Sequence, residues 1–311
     1  MRFLIAVLVS LFSLSALAQS VPAPALAANA WVLVDHATGQ VLAGKDPDAR
    51  IEPASLTKLM TAYLTFAALK AGTLTPDQVV PVSTKAWRME GSRMFIEPNK
   101  PVTVDELIRG VIVQSGNDAC VALAETIAGS EEAFAALMNR EAQRLGMKNT
   151  HFTNSTGLPD PQLYTSASDL AILAGAIIRD FPEYYSLYSL KEFTYNNIKQ
   201  PNRNRLLYLD PTVDGMKTGH TSSAGYCLVS TAQRGERRLI SVVLGAASDT
   251  VRAQESLKLL NFGFQFYETV RLYEKGQSVA DLKVWKGRTD TLKAGFDRDL
   301  LFTLPKGQAE K

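Results

Sequence analysis

Residues 217–245 read KTGHTSSAGYCLVSTAQRGERRLISVVLG, and their pattern sets the fold class. Apolar and β-branched residues alternate through Gly225–Gln233 and again through Arg238–Gly245, with a turn at Arg234-Gly235 between them. That is the period of paired antiparallel strands, and Lys217-Thr218-Gly219 leads into the first. At the other end of the chain, Trp31–Asp35, a Thr38-Gly39 turn and Val41–Lys45 predict a second hairpin. Between the two, the period becomes helical. Leu59, Tyr63, Phe66 and Leu69 share one face of a helix beginning at or just before Ser55 and running to Lys70. Thr103 with Glu106 predicts a capping box opening a helix through Val113, and Asn117 opens another that stops at Gly129. Further helices are predicted over Ser130–Leu145, closed by Gly146, over Ser166–Arg179, stopped by Pro182, and over Thr250–Tyr267. Strands at both ends of a helical middle imply one α/β domain whose antiparallel sheet joins the first hairpin to the last strands. Beyond Thr269 only short β-like pieces remain, Val270–Tyr273, Asp281–Trp285 and Leu300–Leu304. A sandwich takes on the order of 100 residues, so residues 270–311 read as the start of a small, incomplete all-β domain.

The 311 residues carry 33 Lys and Arg against 31 Asp and Glu, a net charge of +2, with 46% hydrophobic and 21% charged residues. Such a balance fits a soluble globular protein of roughly two domains and lacks the clustered basic face that nucleic acid requires. Met1-Arg2, the apolar run Phe3–Phe12 and Ala16-Leu17-Ala18 before Gln19 form a secretory signal over residues 1–18; Ala25-Leu26-Ala27 offers a second cleavage site. The apolar run is shorter than the ~20 residues of a membrane span, so cleavage and export are expected. Cys120 and Cys227 could form one bridge, but both sit in apolar runs that favour buried free thiols. The three histidines, His36, His151 and His220, are far apart and lack the spacing of a zinc hydrolase, so no metal or cofactor is expected.

Three short motifs carry the chemistry. Ser55-Leu56-Thr57-Lys58 sets a hydroxyl and an amine on one helical turn, where a lysine of lowered pKa can take the serine proton. The helix N-terminus adds donors where an oxyanion would form. Ser115-Gly116-Asn117 lies in an interhelical turn, and Lys217-Thr218-Gly219 precedes the strand-rich region. Ser-x-x-Lys and Ser-x-Asn each occur about once by chance in a chain this long, and alone they read as a helix start and a cap. All three in this order, each in its expected local structure, form the acyl-transfer set of penicillin-binding proteins and class A β-lactamases.

The stretches PASLTKLMTAYL, QSGNDACVALAE and DGMKTGHTSSAGYCLV resemble the low-molecular-mass penicillin-binding proteins, specifically serine-type D-alanyl-D-alanine carboxypeptidases, from about Ala30 onward. The resemblance implies a β-lactamase/transpeptidase-like catalytic domain over residues 19–269 followed by the start of a C-terminal all-β domain over 270–311. It implies Ser55 as the acylated nucleophile, Lys58 as proton acceptor, and Ser115 with Asn117 relaying protons or holding the substrate amide. Lys217 would support Lys58 and the incoming carboxylate, and Thr218 and Gly219 would lie on the strand along which the peptide runs. Backbone N–H groups of Ser55 and His220 would form the oxyanion hole, and Arg252 would help fix the terminal carboxylate. The implied substrates are peptidoglycan stem peptides ending in D-Ala-D-Ala, the implied inhibitors β-lactams, and the implied location the periplasm or cell envelope. Members of the family usually continue through a fuller β domain into an amphipathic helix on the membrane. This chain ends at Lys311, so peripheral attachment to the outer face of the inner membrane would need chain beyond that residue.

Two sister activities share the acylation residues. A D,D-endopeptidase cutting crosslinks would use the same groups around the nucleophile. A class A β-lactamase would need Glu-x-x-x-Asn between the second and third motifs, and only Glu192 with Asn196 fits, in the β-like stretch EFTYN close to the third motif. That position argues for coincidence. A binder without turnover would have no need of Ser55, Lys58 and Lys217.

Overall fold

The computed structural model describes residues 21–309, so the signal reading at 1–18 lies outside the described residues. The chain opens with a hairpin, β1 (Ala30–Asp35) and β2 (Val41–Lys45). A helical half follows: α1 (Lys58–Lys70), the strand pair β3 (Val79–Val80) and β4 (Val102–Thr103), α2 (Thr84–Trp87), α3 (Val104–Arg109), α4 (Asn117–Ala128), α5 (Glu131–Leu145), α6 (Ala167–Asp180) and α7 (Pro182–Tyr185). The hairpin β5 (Glu192–Tyr195) and β6 (Ile198–Pro201) and a short α8 (Leu206–Leu209) lead to β7 (Val213–Thr221), β8 (Gly225–Arg234) and β9 (Arg237–Ala246). Then come α9 (Asp249–Phe266) and the strands β10 (Tyr267–Tyr273), β11 (Ser278–Lys283), β12 (Thr291–Gly295) and β13 (Leu300–Pro305).

The central sheet has the order β2-β1-β9-β8-β7 with every pair antiparallel, so the first hairpin does join the last strands. Alternation sends neighbouring residues to opposite faces. Val32, Val229, Ile240 and Val242 face the helical half, while Leu33, Leu228, Leu239 and Val243 face α9. Leu259 and Leu260 of α9 are fully buried there. Each such side chain stabilises the fold by about 1.5–3 kcal/mol relative to exposure.

Helix ends follow the sequence chemistry. Ser130, Ser166 and Ser248 each accept a backbone N–H three residues on, Thr103 and Glu106 form the reciprocal capping box, and Gly129 and Gly146 close α4 and α5 with φ of +81° and +84°. Several boundaries differ from expectation, among them the strand expected over Asp281–Trp285, which is β11 at Ser278–Lys283. The helix opened by Thr103 is α only to Arg109 and widens into a π turn over Gly110–Gln114. Pro182 starts α7 rather than merely ending α6, as suits a residue with fixed φ and no N–H to donate. The last helix gives way to β10 at Tyr267. In the C-terminal unit β10 pairs with β13 and β11 with β12, all antiparallel. Strand β12, TLKAG, falls outside the expected pieces; it is a short strand of exposed residues apart from the half-buried Ala294. This unit is tied to the hairpin by Thr269 Oγ1 donating to Asp35 Oδ2 at 2.8 Å and Thr303 N donating to Gln40 Oε1 at 2.6 Å.

Candidate active site

The site lies where the free edge of the sheet, β7, meets the helical half. Ser55 stands in a 3-10 turn, Ala54–Thr57, that runs directly into α1, so Lys58 follows it by one turn. Lys58 is 1% exposed, and its Nζ donates to Ser55 Oγ at 3.0 Å, to Asn117 Oδ1 at 2.8 Å and to the Thr156 carbonyl at 2.5 Å. All three ammonium protons are thereby directed, yet none reaches a carboxylate. Burial, aided by the Arg203 charge, pushes its pKa down to about 8.

Ser115 is reached through the π turn. It takes the left-handed conformation, φ 58° and ψ 37°, with Gly116 N bonded back to the Gly110 carbonyl at 3.0 Å. Gly110 is required here, since a Cβ would lie 2.2 Å from Met94 Sδ. The turn points Ser115 Oγ at Lys217, whose Nζ donates to it at 2.9 Å and to the Thr218 carbonyl at 3.0 Å. Burial holds Lys217 well below the ordinary lysine pKa, and the nearby Lys58 and Arg203 charges add to the effect. Two lysines thus meet Ser55 and Ser115 from opposite walls.

Asn117 does not cap α4, as a bland reading of that turn would have it. Its Oδ1 receives Lys58, and its Nδ2 donates to the Glu90 carbonyl at 2.6 Å. The neighbouring Asp118 does the holding: Oδ1 accepts Met94 N and Ala119 N at 3.0 and 2.9 Å, and Oδ2 accepts Phe95 N and Ile96 N at 2.8 and 3.2 Å. That carboxylate fixes the loop forming one rim of the cleft.

On the opposite wall, Lys217, Thr218 and Gly219 are buried within β7 and pair with Val229, Leu228 and Cys227. Gly219 lets the strand meet the Ser55 turn, for a Cβ there would lie 3.1 Å from the Pro53 carbonyl. His220 is exposed, its ring 4.0 Å from that of Tyr226. Arg252, on the first turns of α9, is 6% exposed; it donates to the Gly219 carbonyl at 3.2 Å and to Asp249 Oδ1 at 2.8 Å. A cleft of about 490 Å³ opens between the walls, with Ser55, Ser115, Thr218, His220, Arg203 and Arg252 on its surface. The positions named from the three motifs, together with His220 and Arg252 from the resemblance, therefore lie together in this region.

The motifs did not reveal three contributors. Arg203 donates to Ser92 Oγ at 2.7 Å and lines the cleft; Thr156 receives Lys58; and Gly157, φ +83°, presses on the Ser55 turn so closely that a Cβ would sit 1.8 Å from the Ala54 carbonyl. The turn-forming string Asn154-Ser155-Thr156-Gly157 was the available signal, since its Asn154 Oδ1 accepts both Thr156 N and Gly157 N. Glu192 and Asn196 lie away from the serine: Glu192 pairs with Lys199 across the β5–β6 hairpin and Asn196 bonds Glu97. Cys120 and Cys227 are free and buried. Among the described residues no three His, Cys, Asp or Glu side chains group to hold a metal ion.

Comparison with known proteins matches residues 17–248 to the family described as D-alanyl-D-alanine carboxypeptidase and residues 267–311 to the penicillin-binding protein 5 C-terminal domain. The chain is 47% identical over 297 residues to the D-alanyl-D-alanine carboxypeptidase DacC of Escherichia coli (strain K12), covering 93% of this chain and 74% of that one. Penicillin-binding protein 5 from Haemophilus influenzae superposes with a TM-score of 0.91 at 46% identity, over 93% of this chain and 86% of that one. The ampicillin-bound form of penicillin-binding protein D2 from Listeria monocytogenes superposes with a TM-score of 0.72 at 31% identity, over 78% of this chain and all of that one. A serine and two lysines with this geometry, on this sheet and at this level of identity, mean that the chain belongs to the serine D-alanyl-D-alanine carboxypeptidases, the low-molecular-mass penicillin-binding proteins.

Proposed function

We propose that Ser55 carries the acyl group in the removal of terminal D-alanine from peptidoglycan stem peptides. The observation that carries this reading is the buried Lys58 amine, 3.0 Å from Ser55 Oγ and without a carboxylate partner among the described residues. With a pKa of about 8, roughly a tenth of Lys58 is the free amine at pH 7. That amine accepts the Ser55 proton as Oγ attacks the carbonyl of the penultimate D-alanine. The tetrahedral alkoxide is met by the backbone N–H groups of Ser55 and His220. Its collapse breaks the peptide bond; the departing D-alanine nitrogen takes a proton through Ser115, which Lys217 orients. Water then attacks the ester, and the shortened peptide leaves. Asn117 holds the substrate amide, while Thr218, with Lys217 and Arg252 behind it, receives the terminal carboxylate.

A β-lactam presents its strained amide to the same serine, and the ampicillin-bound relative supports inhibition by this route. Catalysis is assigned to residues 19–269, acting after export in the periplasm once residues 1–18 have been removed. No helix among the described residues is long and apolar enough to cross a membrane. The test is release of D-alanine from a peptide ending in D-Ala-D-Ala by residues 19–311 and by Ser55→Ala. Release that vanishes with the serine supports the reading, and release that persists ends it. Rapid hydrolysis of penicillin would transfer the chain to the lactamases.

A further inference from the structure

The segment entering the nucleophile turn is tied on two sides. Ile51 exchanges backbone hydrogen bonds with Thr165 at 2.8 Å in each direction, which anchors it to the helical half. Glu52, the next residue, reaches toward the sheet. Its Oε1 accepts Thr221 Oγ1 at 2.7 Å and its Oε2 accepts Ser223 Oγ at 2.5 Å. Thr221 Oγ1 in turn accepts the backbone N–H of Ala224 at 3.0 Å, so the carboxylate and the β7–β8 turn form one network. Glu52 has no Lys or Arg within salt-bridge distance among the described residues. A half-buried carboxylate beside a cationic cleft thus receives two hydroxyls rather than an ion pair. Such charge-assisted bonds are short and directional.

Glu52 lies three residues before Ser55, and Thr221 lies one residue after His220. The bridge therefore joins the two segments whose backbone N–H groups face the alkoxide in the reading above, on which this inference rests. The two segments approach so closely that a Cβ on Gly219 would lie 3.1 Å from the Pro53 carbonyl, and the Glu52 carboxylate bridges them through Thr221. Oxyanion donors act only when both stand about 2.7–3.1 Å from the developing charge. We propose that Glu52 is a positioning residue for the reaction: it sets the separation of the Ser55 and His220 backbone donors and so tunes stabilisation of the tetrahedral intermediate without touching substrate.

The experiment compares the full chain with Glu52→Ala, Glu52→Gln and Thr221→Val. It resolves acylation by benzylpenicillin into the dissociation constant of the non-covalent complex and the first-order rate that follows. It also measures affinity for an alkylboronic acid, which becomes tetrahedral on a serine hydroxyl. The expected result for Glu52→Ala is a rate about 10- to 100-fold lower with the dissociation constant unchanged within about twofold, and a parallel loss of boronic acid affinity. Glu52→Gln keeps an oxygen for Thr221 and recovers most of the rate. An unchanged rate, or a loss confined to the dissociation constant with boronic acid affinity intact, overturns the assignment. If circular dichroism shows Glu52→Ala unfolded, Thr221→Val removes one strut and is judged by the same criteria. Acylation of Ser55→Ala would instead sink the serine reading, leaving a result distinct from failure of the Glu52 role.

Discussion

Lys58 Nζ lies 3.0 Å from Ser55 Oγ and 2.8 Å from Asn117 Oδ1, with less than a fiftieth of the lysine exposed to solvent. A guanidinium could hold the same charge there but could not give up its proton at neutral pH. Lys58→Arg should therefore fold and lose acylation by at least about 10³-fold, as measured by fluorescent penicillin labelling. Labelling within tenfold of the parent would remove Lys58 as the base.

Acylation should rise with pH. In the proposed role of Lys58 only the unprotonated amine can accept the serine proton, and its pKa is lowered to about 8, so the rate should climb as pH increases through about 8 and fall away below it. The Arg203 charge helps hold the value down; Arg203→Gln should move the midpoint upward and slow acylation at pH 7. A midpoint that does not rise would show that the Arg203 charge does not hold the value down.

Asp118→Ala removes the acceptor of four backbone N–H groups at the cleft rim. Buried donors left without partners are costly, so a stability loss on the order of 3 kcal/mol is expected in urea denaturation, with slower acylation. Asp118→Asn should lie between the two.

Gly157→Ala combines a positive φ with a Cβ 1.8 Å from the Ala54 carbonyl. The Ser55 turn must move or the loop must detach, at a cost of more than about 3 kcal/mol. Unchanged thermal stability together with unchanged penicillin labelling would contradict this packing. Gly146→Ala, which meets nothing within 4 Å, controls for positive φ alone.

Burial pushes the Cys120 thiol up to about 12 and the Cys227 thiol to about 11. Neither should react with Ellman's reagent in the native protein at pH 8, and both should react in denaturant. Fast native labelling of either would place it on the surface.

The sheet and most helices were legible because period and caps agree with packing. Alternation in residues 225–245 matches the two faces that contact α9 and the helical half, and Ser130 or Thr103 marks a helix start through a bond it makes itself. The motif residues were legible for a related reason, since their neighbours along the chain dictate the local turn. Thr156, Asp118 and Arg203 were not. Thr156 and Asp118 act through side-chain-to-backbone bonds and Arg203 through a side-chain bond to Ser92, all with partners distant in sequence and no period to detect. Glu52 illustrates the same limit: nothing in RIEPAS shows that its carboxylate reaches Thr221.

The pairing of β1 with β9 has a temporal consequence. A strand made near the beginning of synthesis waits for one made near the end, and β7 gains its sheet neighbour only when β8 arrives. Until then the Ser55 helix has no opposite wall and Lys217 has no fixed place. A chain that has not yet formed this non-local pairing is therefore expected to lack an assembled cleft. Penicillin labelling then counts finished molecules rather than synthesised ones.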